Sequence, residues 1–189
     1  MGNGLQTAID LAWASGKFID ISKFSANAKG WQDAVQYAYC NGGILLHKYR
    51  VDLQEKDNFV LKEPLNAEHF VRNVLMHHDI QEYIERLKIE KSDPSFENAQ
   101  QISGDLLSQY LIRILVDGGA YRSIVKKKAT LIVSKFLQEE YQNRFKDLII
   151  FTYKYLDADW FFDVAWDYSL LIFDTQKSEI MFIDLTDTD

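Results

Sequence analysis

The stretch Tyr168-Ser-Leu-Leu-Ile-Phe-Asp-Thr-Gln-Lys-Ser-Glu-Ile180-Met-Phe-Ile-Asp-Leu185 decides the fold class of this chain. Two apolar runs, Tyr168–Phe173 and Ile180–Leu185, flank the polar segment Asp174–Glu179, which is the pattern of a β-hairpin with a longer loop. Ile180-Met-Phe-Ile183 is apolar at every position. Successive side chains of a strand point to opposite faces, so this one must be covered twice, by neighbours and by helices. Upstream, Leu148–Tyr153 is a short apolar run that fits either the end of a helix or the start of a strand.

Helical spacing dominates the rest. Leu5, Ala8, Ile9, Ala12 and Trp13 share one face of a first helix, stopped by Gly16. A second helix is expected from about Gly30 to Cys40, on Trp31, Ala34, Val35 and Ala38, with Asn41-Gly42-Gly43 as its C-cap. Ile44–Leu53 and Phe59–Lys62 read as a hairpin around Gln54–Asn58. Asn66 is an N-cap before Phe70, Val71, Val74 and Leu75, and Asp79 with Glu82 has capping-box spacing for another helix. Between them His77 and His78 read as a solvated junction. Ile102, Leu106, Leu107, Tyr110, Leu111, Ile114 and Leu115 form the cleanest amphipathic stripe, ended by Asp117-Gly118-Gly119. A long helix should follow with Tyr121, Ile124, Val125, Ala129, Ile132, Val133, Phe136 and Leu137 inward, ending between Tyr141 and Lys146.

The fold class is therefore α+β, with helices packed on a small, mainly antiparallel sheet that includes the C-terminal β-hairpin. A length of 189 residues suits a single domain over 1–189. Within it lie N-terminal helices and a hairpin (1–65), a helical middle (66–147) and an acidic C-terminal hairpin region (148–189). A hydrophobic content of 47% suits a packed core, and two prolines leave no Pro-rich linker. The N-terminus lacks the basic and apolar segments of a secretory leader, and no apolar run approaches the ~18–20 residues of a membrane span. A cytoplasmic protein without membrane contact is expected. Cys40, the single cysteine, reads as a small buried hydrophobe.

Charge is distributed unevenly. The net charge of −7 opposes nucleic-acid binding, which needs a basic surface. Residues 156–189 hold nine acids against one base, whereas residues 1–155 hold 20 bases and 19 acids. The net negative charge thus sits entirely at the C-terminal end. The one basic cluster, Arg122 with Lys126-Lys127-Lys128, reads as a solvated helix face in which Arg122 and Lys126 are neighbours one turn apart.

No catalytic or cofactor motif is present. Gly42-Gly43 and Gly118-Gly119 lack the Lys-Ser/Thr of a P-loop and the three-glycine dinucleotide fingerprint, and C-capping accounts for both. There is no nucleophile elbow. No cofactor is expected. His47 with His78-Asp79 superficially resembles the metal-dependent HD phosphohydrolases, in which His and Asp ligands hold a water-activating divalent ion. A strand position for His47 and a capping role for Asp79 oppose that alternative. A second alternative is a structural, self-associating subunit whose apolar strand edge pairs with a homologue; the oligomeric state is otherwise open.

The acidic end carries the functional reading. Asp157, Asp159, Asp163 and Asp167 are interleaved with Trp160, Phe161, Phe162 and Trp166. Aromatic side chains anchor interfaces while carboxylates steer a cationic surface. The run Trp160-Phe-Phe-Asp163-Val-Ala-Trp166-Asp167, closing on Phe182-Ile-Asp-Leu-Thr186-Asp187-Thr188-Asp189, resembles the C-terminal ends of small bacterial proteins of toxin–immunity loci. That resemblance implies a non-enzymatic, immunity-type inhibitor whose partner is a basic protein such as a toxin or nuclease. Asp159, Asp163, Trp166, Asp167 and Asp187 are the expected contact residues.

Overall fold

The computed structural model describes residues 3–55, 57, 60, 66–89 and 94–189. Six strands, β1 (Lys17–Asp20), β2 (Gly43–Asp52), β3 (Phe96–Ile102), β4 (Leu148–Tyr155), β5 (Tyr168–Asp174) and β6 (Glu179–Thr186), form one antiparallel sheet in the order β1-β2-β6-β5-β4-β3. The β5–β6 hairpin lies at its centre, paired from Tyr168↔Leu185 to Asp174↔Glu179. β6 is covered on both faces as its composition requires. Ile180 and Phe182 join a core with Trp13, Phe70 and Tyr83, while Met181, Ile183 and Leu185 join a second with Trp31, Val133 and Phe136. Helices α1 (Asn3–Ser15), α3 (Ala67–Leu75) and α4 (Gln81–Arg86) supply the first core. The second comes from α2 (Ala26–Ala38), α5 (Gly104–Asp117) and α6 (Lys126–Tyr141). Leu148–Tyr153 belongs to the sheet, sending Leu148 and Ile150 to one core and Phe151 and Tyr153 to the other.

Several elements differ from their expected bounds. α2 starts at Ala26, because the Ser25 side chain accepts the Ala28 amide and caps it there. β2 has both edges occupied, by β1 and β6, so it is not one arm of a local hairpin. Of the expected second arm, 59–62, all but Val60 lies outside the described residues. α6 starts only at Lys126, which leaves Tyr121 and Val125 exposed and Arg122 outside the helix, over the Tyr37 ring at 5.1 Å. Leu106 is exposed, Ile102 lies in β3, and Cys40 is half-buried. No helix among the described residues is long and apolar enough to cross a membrane.

The strands at the sheet margins, β1 and β3, carry no apolar alternation. β1 buries only Phe18, and β3 exposes Glu97, Gln100 and Gln101 beside a register shift at which Asn98 adopts φ 56°. Short, polar or bulged edges resist pairing with another chain. The sheet's apolar strands are interior, so its margins do not offer the apolar edge that a self-associating subunit would use.

The two glycine pairs have unequal roles. Gly118 caps α5 with a positive φ of 67°. Gly42 and Gly119 instead clear space for the chain end. A Cβ on Gly42 would overlap the Thr186 carbonyl, and one on Gly119 would overlap the Asp187 carboxylate. Asp187 is wholly buried. Its Oδ1 accepts the Asn41 and Gly42 amides at 2.8 and 3.0 Å, and its Oδ2 accepts that of Ala120 at 2.8 Å. The carboxylate expected to meet a partner therefore ties the end of β6 to the loops that follow α2 and α5, and it is not exposed to a partner.

Asp187→Ala and Gly119→Ala should each lower unfolding stability by about 2–4 kcal/mol in urea denaturation, since buried amides lose their acceptor or their room. Gly30→Ala, in the exposed middle of α2 with open space around it, should instead be neutral or stabilising by up to ~1 kcal/mol.

Candidate binding pocket

β4 leaves the sheet at Tyr155, and the chain returns to it at Tyr168. The loop between is built by its own aspartates. Both Asp157 oxygens accept the Ser95 amide, at 3.0 and 3.1 Å. Asp167 accepts the Val164 amide at 2.9 Å and the Thr186 hydroxyl at 2.6 Å, which pins the loop's return to β6. Asp163 sits at φ 57°, a left-handed conformation that Asp and Asn tolerate best among residues with a Cβ. Its carboxylate pairs with Lys154 at 2.6 Å. Trp160 and Phe161 pack against the α1/α3/α4 core, and half-buried Trp166 packs against the other.

This loop encloses a cavity of about 290 Å³ against the start of β5. Tyr153, Tyr155, Phe161 and Ser169 line it together with Lys154 and with Asp157, Asp159, Asp163 and Asp167. Asp159 and Asp163 are exposed, whereas Asp157 and Asp167 are half-buried. The structure thus gathers three of the five expected contact residues, Asp159, Asp163 and Asp167, around one opening. Trp166 buttresses the loop from behind, and Asp187 is internal.

Behind the cavity lies a buried acid. Tyr153, Ser169 and Asp184 are consecutive cross-strand partners on one face of the sheet. Asp184 is wholly buried, and its Oδ2 accepts the Tyr83 hydroxyl from α4. The hydroxyls of Tyr83, Tyr155 and Tyr153 continue in a chain, at 3.4 and 3.3 Å. Burial raises the Asp184 carboxyl to about 7, against the smaller opposing effect of the Tyr83 and Ser169 hydroxyls. Among the described residues no donor reaches Oδ1 with hydrogen-bond geometry. None of these groups was singled out in the sequence, although one signal existed. Asp184 is the one charged residue inside Ile180–Leu185, a run expected to be covered on both faces.

The alternative metal set is not assembled. His47 on β2 lies beside Arg86, whose guanidinium donates to Nε2 at 2.8 Å. Arginine only donates, so Nε2 accepts and the ring proton is on Nδ1. Burial, and then the Arg86 charge, lower the His47 pKa and keep the ring neutral. Among the described residues, the ligand atoms of His77, His78 and Asp79 lie within 4.8 Å of one another, without His47. His77 is buried rather than solvated, and both its nitrogens are engaged. Nδ1 accepts the Asp79 amide at 3.1 Å, and Nε2 donates to the Gly16 carbonyl at 3.2 Å. Asp79 does not cap α4. A 3-10 turn, His78–Ile80, precedes that helix and is capped by His77, while Asp79 accepts the Phe18 amide of β1 at 2.8 Å.

Comparison of the chain with family models, with curated proteins and with solved structures gives no match.

The buried acid Asp184 has a measurable signature in stability. With Asp184 at about 7 in the fold and 3.8 as its ordinary value, the unfolded chain releases this proton first as pH rises. The folded state then holds more protons, so this group makes stability fall between about pH 4 and 7, by roughly 4 kcal/mol in total, and level off above. Asp184→Asn does not titrate. Its stability relative to the unaltered protein should rise across that window and stay constant above pH 8, as read by urea denaturation from pH 4 to 9.

Proposed function

We propose that the protein is a non-enzymatic binding protein, an immunity-type inhibitor that neutralises a basic bacterial toxin through the acidic, aromatic-rich lip of residues 156–167. One observation carries this reading. Asp159 and Asp163 are exposed around an opening beside two exposed apolar side chains, Leu156 at 59% and Phe162 at 49%. Asp159 makes no ion pair or hydrogen bond among the described residues, so its carboxylate is available to a partner. Apolar anchors amid carboxylates suit a partner that is cationic at its rim and apolar at its centre. The carboxylates also steer association, and that contribution weakens as salt rises.

The loop's geometry sorts the aspartates by the kind of evidence each can give. Replacing Asp167 removes acceptors from Val164 and Thr186, so it reports on the loop and not on the interface. A lysine at position 163 would add left-handed backbone strain to the charge change, whereas Asp163→Asn keeps a residue tolerant of that backbone while removing the charge and releasing Lys154. Asp159→Lys is the clean reversal. Asp33→Lys, the same change on exposed α2, is its control.

In affinity capture from cells that produce the protein, a basic partner should be retained at low salt by the unaltered chain and by Asp33→Lys. Asp159→Lys should weaken retention at least tenfold, Asp163→Asn less so, and 0.5 M salt should release the partner from all. Retention indifferent to Asp159→Lys, or capture without a basic protein, would contradict the reading.

A further inference from the structure

We infer that the cavity between the 156–167 loop and β5 is a receptor for a single guanidinium or alkylammonium group, the end of an arginine or lysine side chain. This deepens the binding reading above, on which it rests in making that side chain the partner's. The volume of about 290 Å³ is at the lower end of ligand pockets, roughly 300–1,000 Å³, and has room for one extended side chain. The sign of the charge follows from the lining: four aspartates against one lysine, Lys154, which pairs with Asp163 at 2.6 Å and leaves the lining net negative. An anionic ligand would be repelled.

The inner surface adds a second recognition element. The rings of Tyr155 and Phe161 stack at a centroid separation of 5.6 Å, with Tyr153 edge-on to Tyr155 at 5.2 Å. Aromatic faces attract a cation that has left water, and a planar guanidinium stacks on them. Asp184 supplies a third, independent of the rim. It lies beneath the lining, on the same sheet face as Tyr153 and Ser169, wholly buried, and among the described residues no hydrogen bond to its Oδ1 has good geometry. A buried carboxylate without a counter-charge is costly, and a cation seated against Ser169 and the tyrosine hydroxyls lowers that cost. Rim, rings and buried acid all select the same ligand class.

The test uses the full chain and three small probes, N-acetyl-argininamide, N-acetyl-lysinamide and the neutral isostere N-acetyl-citrullinamide, each titrated at pH 8 and followed by amide chemical shifts. The arginine probe should give saturable shifts confined to residues 153–169 and 184, with the citrulline probe at least tenfold weaker. Asp159→Asn should weaken the arginine probe at least threefold and Asp33→Asn should not. Shifts from the lysine probe alone would keep the cation site and assign it to ammonium. Equal response to arginine and citrulline, or shifts outside the pocket, would overturn the inference. Failure here is distinct from failure of the inhibitor reading. Probe binding without a captured basic partner leaves a pocket for a free cation, whereas an Asp159-dependent partner without probe binding leaves an interface and refutes the pocket.

Discussion

Burying a carboxylate costs several kcal/mol unless donors surround it, and β6 with the residue that follows it buries two, Asp184 and Asp187. The fold treats them in opposite ways. Asp187 receives three backbone amides from two loops, and the absence of side chains at Gly42 and Gly119 lets those loops close on it. That compensation fixes where β6 ends, and β6 is the strand on which both cores are assembled. Asp184 receives the Tyr83 hydroxyl and has an oxygen left over. One buried acid holds the structure together, and the other is left with incomplete compensation at the back of a cavity.

The second acid connects packing to function. Tyr83 reaches Asp184 from α4, while Tyr153, Tyr155 and Ser169 lie between that acid and the cavity. A region that apolar residues would fill at less cost is instead polar, aromatic and negative. Its outer rim continues the same sign in Asp159 and Asp163. The hydrogen bonds of Asp157 and Asp167 hold the loop that carries the rim, so the architecture separates aspartates that build the loop from aspartates that face outward.

How much of this the sequence discloses depends on the kind of force involved. The β5–β6 hairpin and the double coverage of Ile180–Ile183 are written in periodicity, which burial enforces directly. β1 and β3 are not, because edge strands pair through backbone groups and need no apolar pattern; β3 runs Phe96-Glu-Asn-Ala-Gln-Gln-Ile102. Gly42 and Gly119 read as flexible caps because a glycine's sequence neighbours do not show what will crowd it from a distant strand. Asp187 reads as a partner-contact residue for the same reason, its three donors lying far away in the chain. The acidic loop was visible as composition, but which of its aspartates face outward depended on partners such as Ser95 and Thr186. Asp184 was visible in principle, as a charge inside a strand whose neighbours demanded burial.

The most direct measurement is the ¹³C carboxyl titration of Asp184, alone and with the arginine probe. Alone, the carboxyl should titrate near 7, far above the ordinary carboxylate range, because it is buried without a counter-charge. With the probe bound, its midpoint should fall by one unit or more as a cation comes to face it. A midpoint in the ordinary range in the free protein, or one that does not move when the probe saturates, would contradict the account.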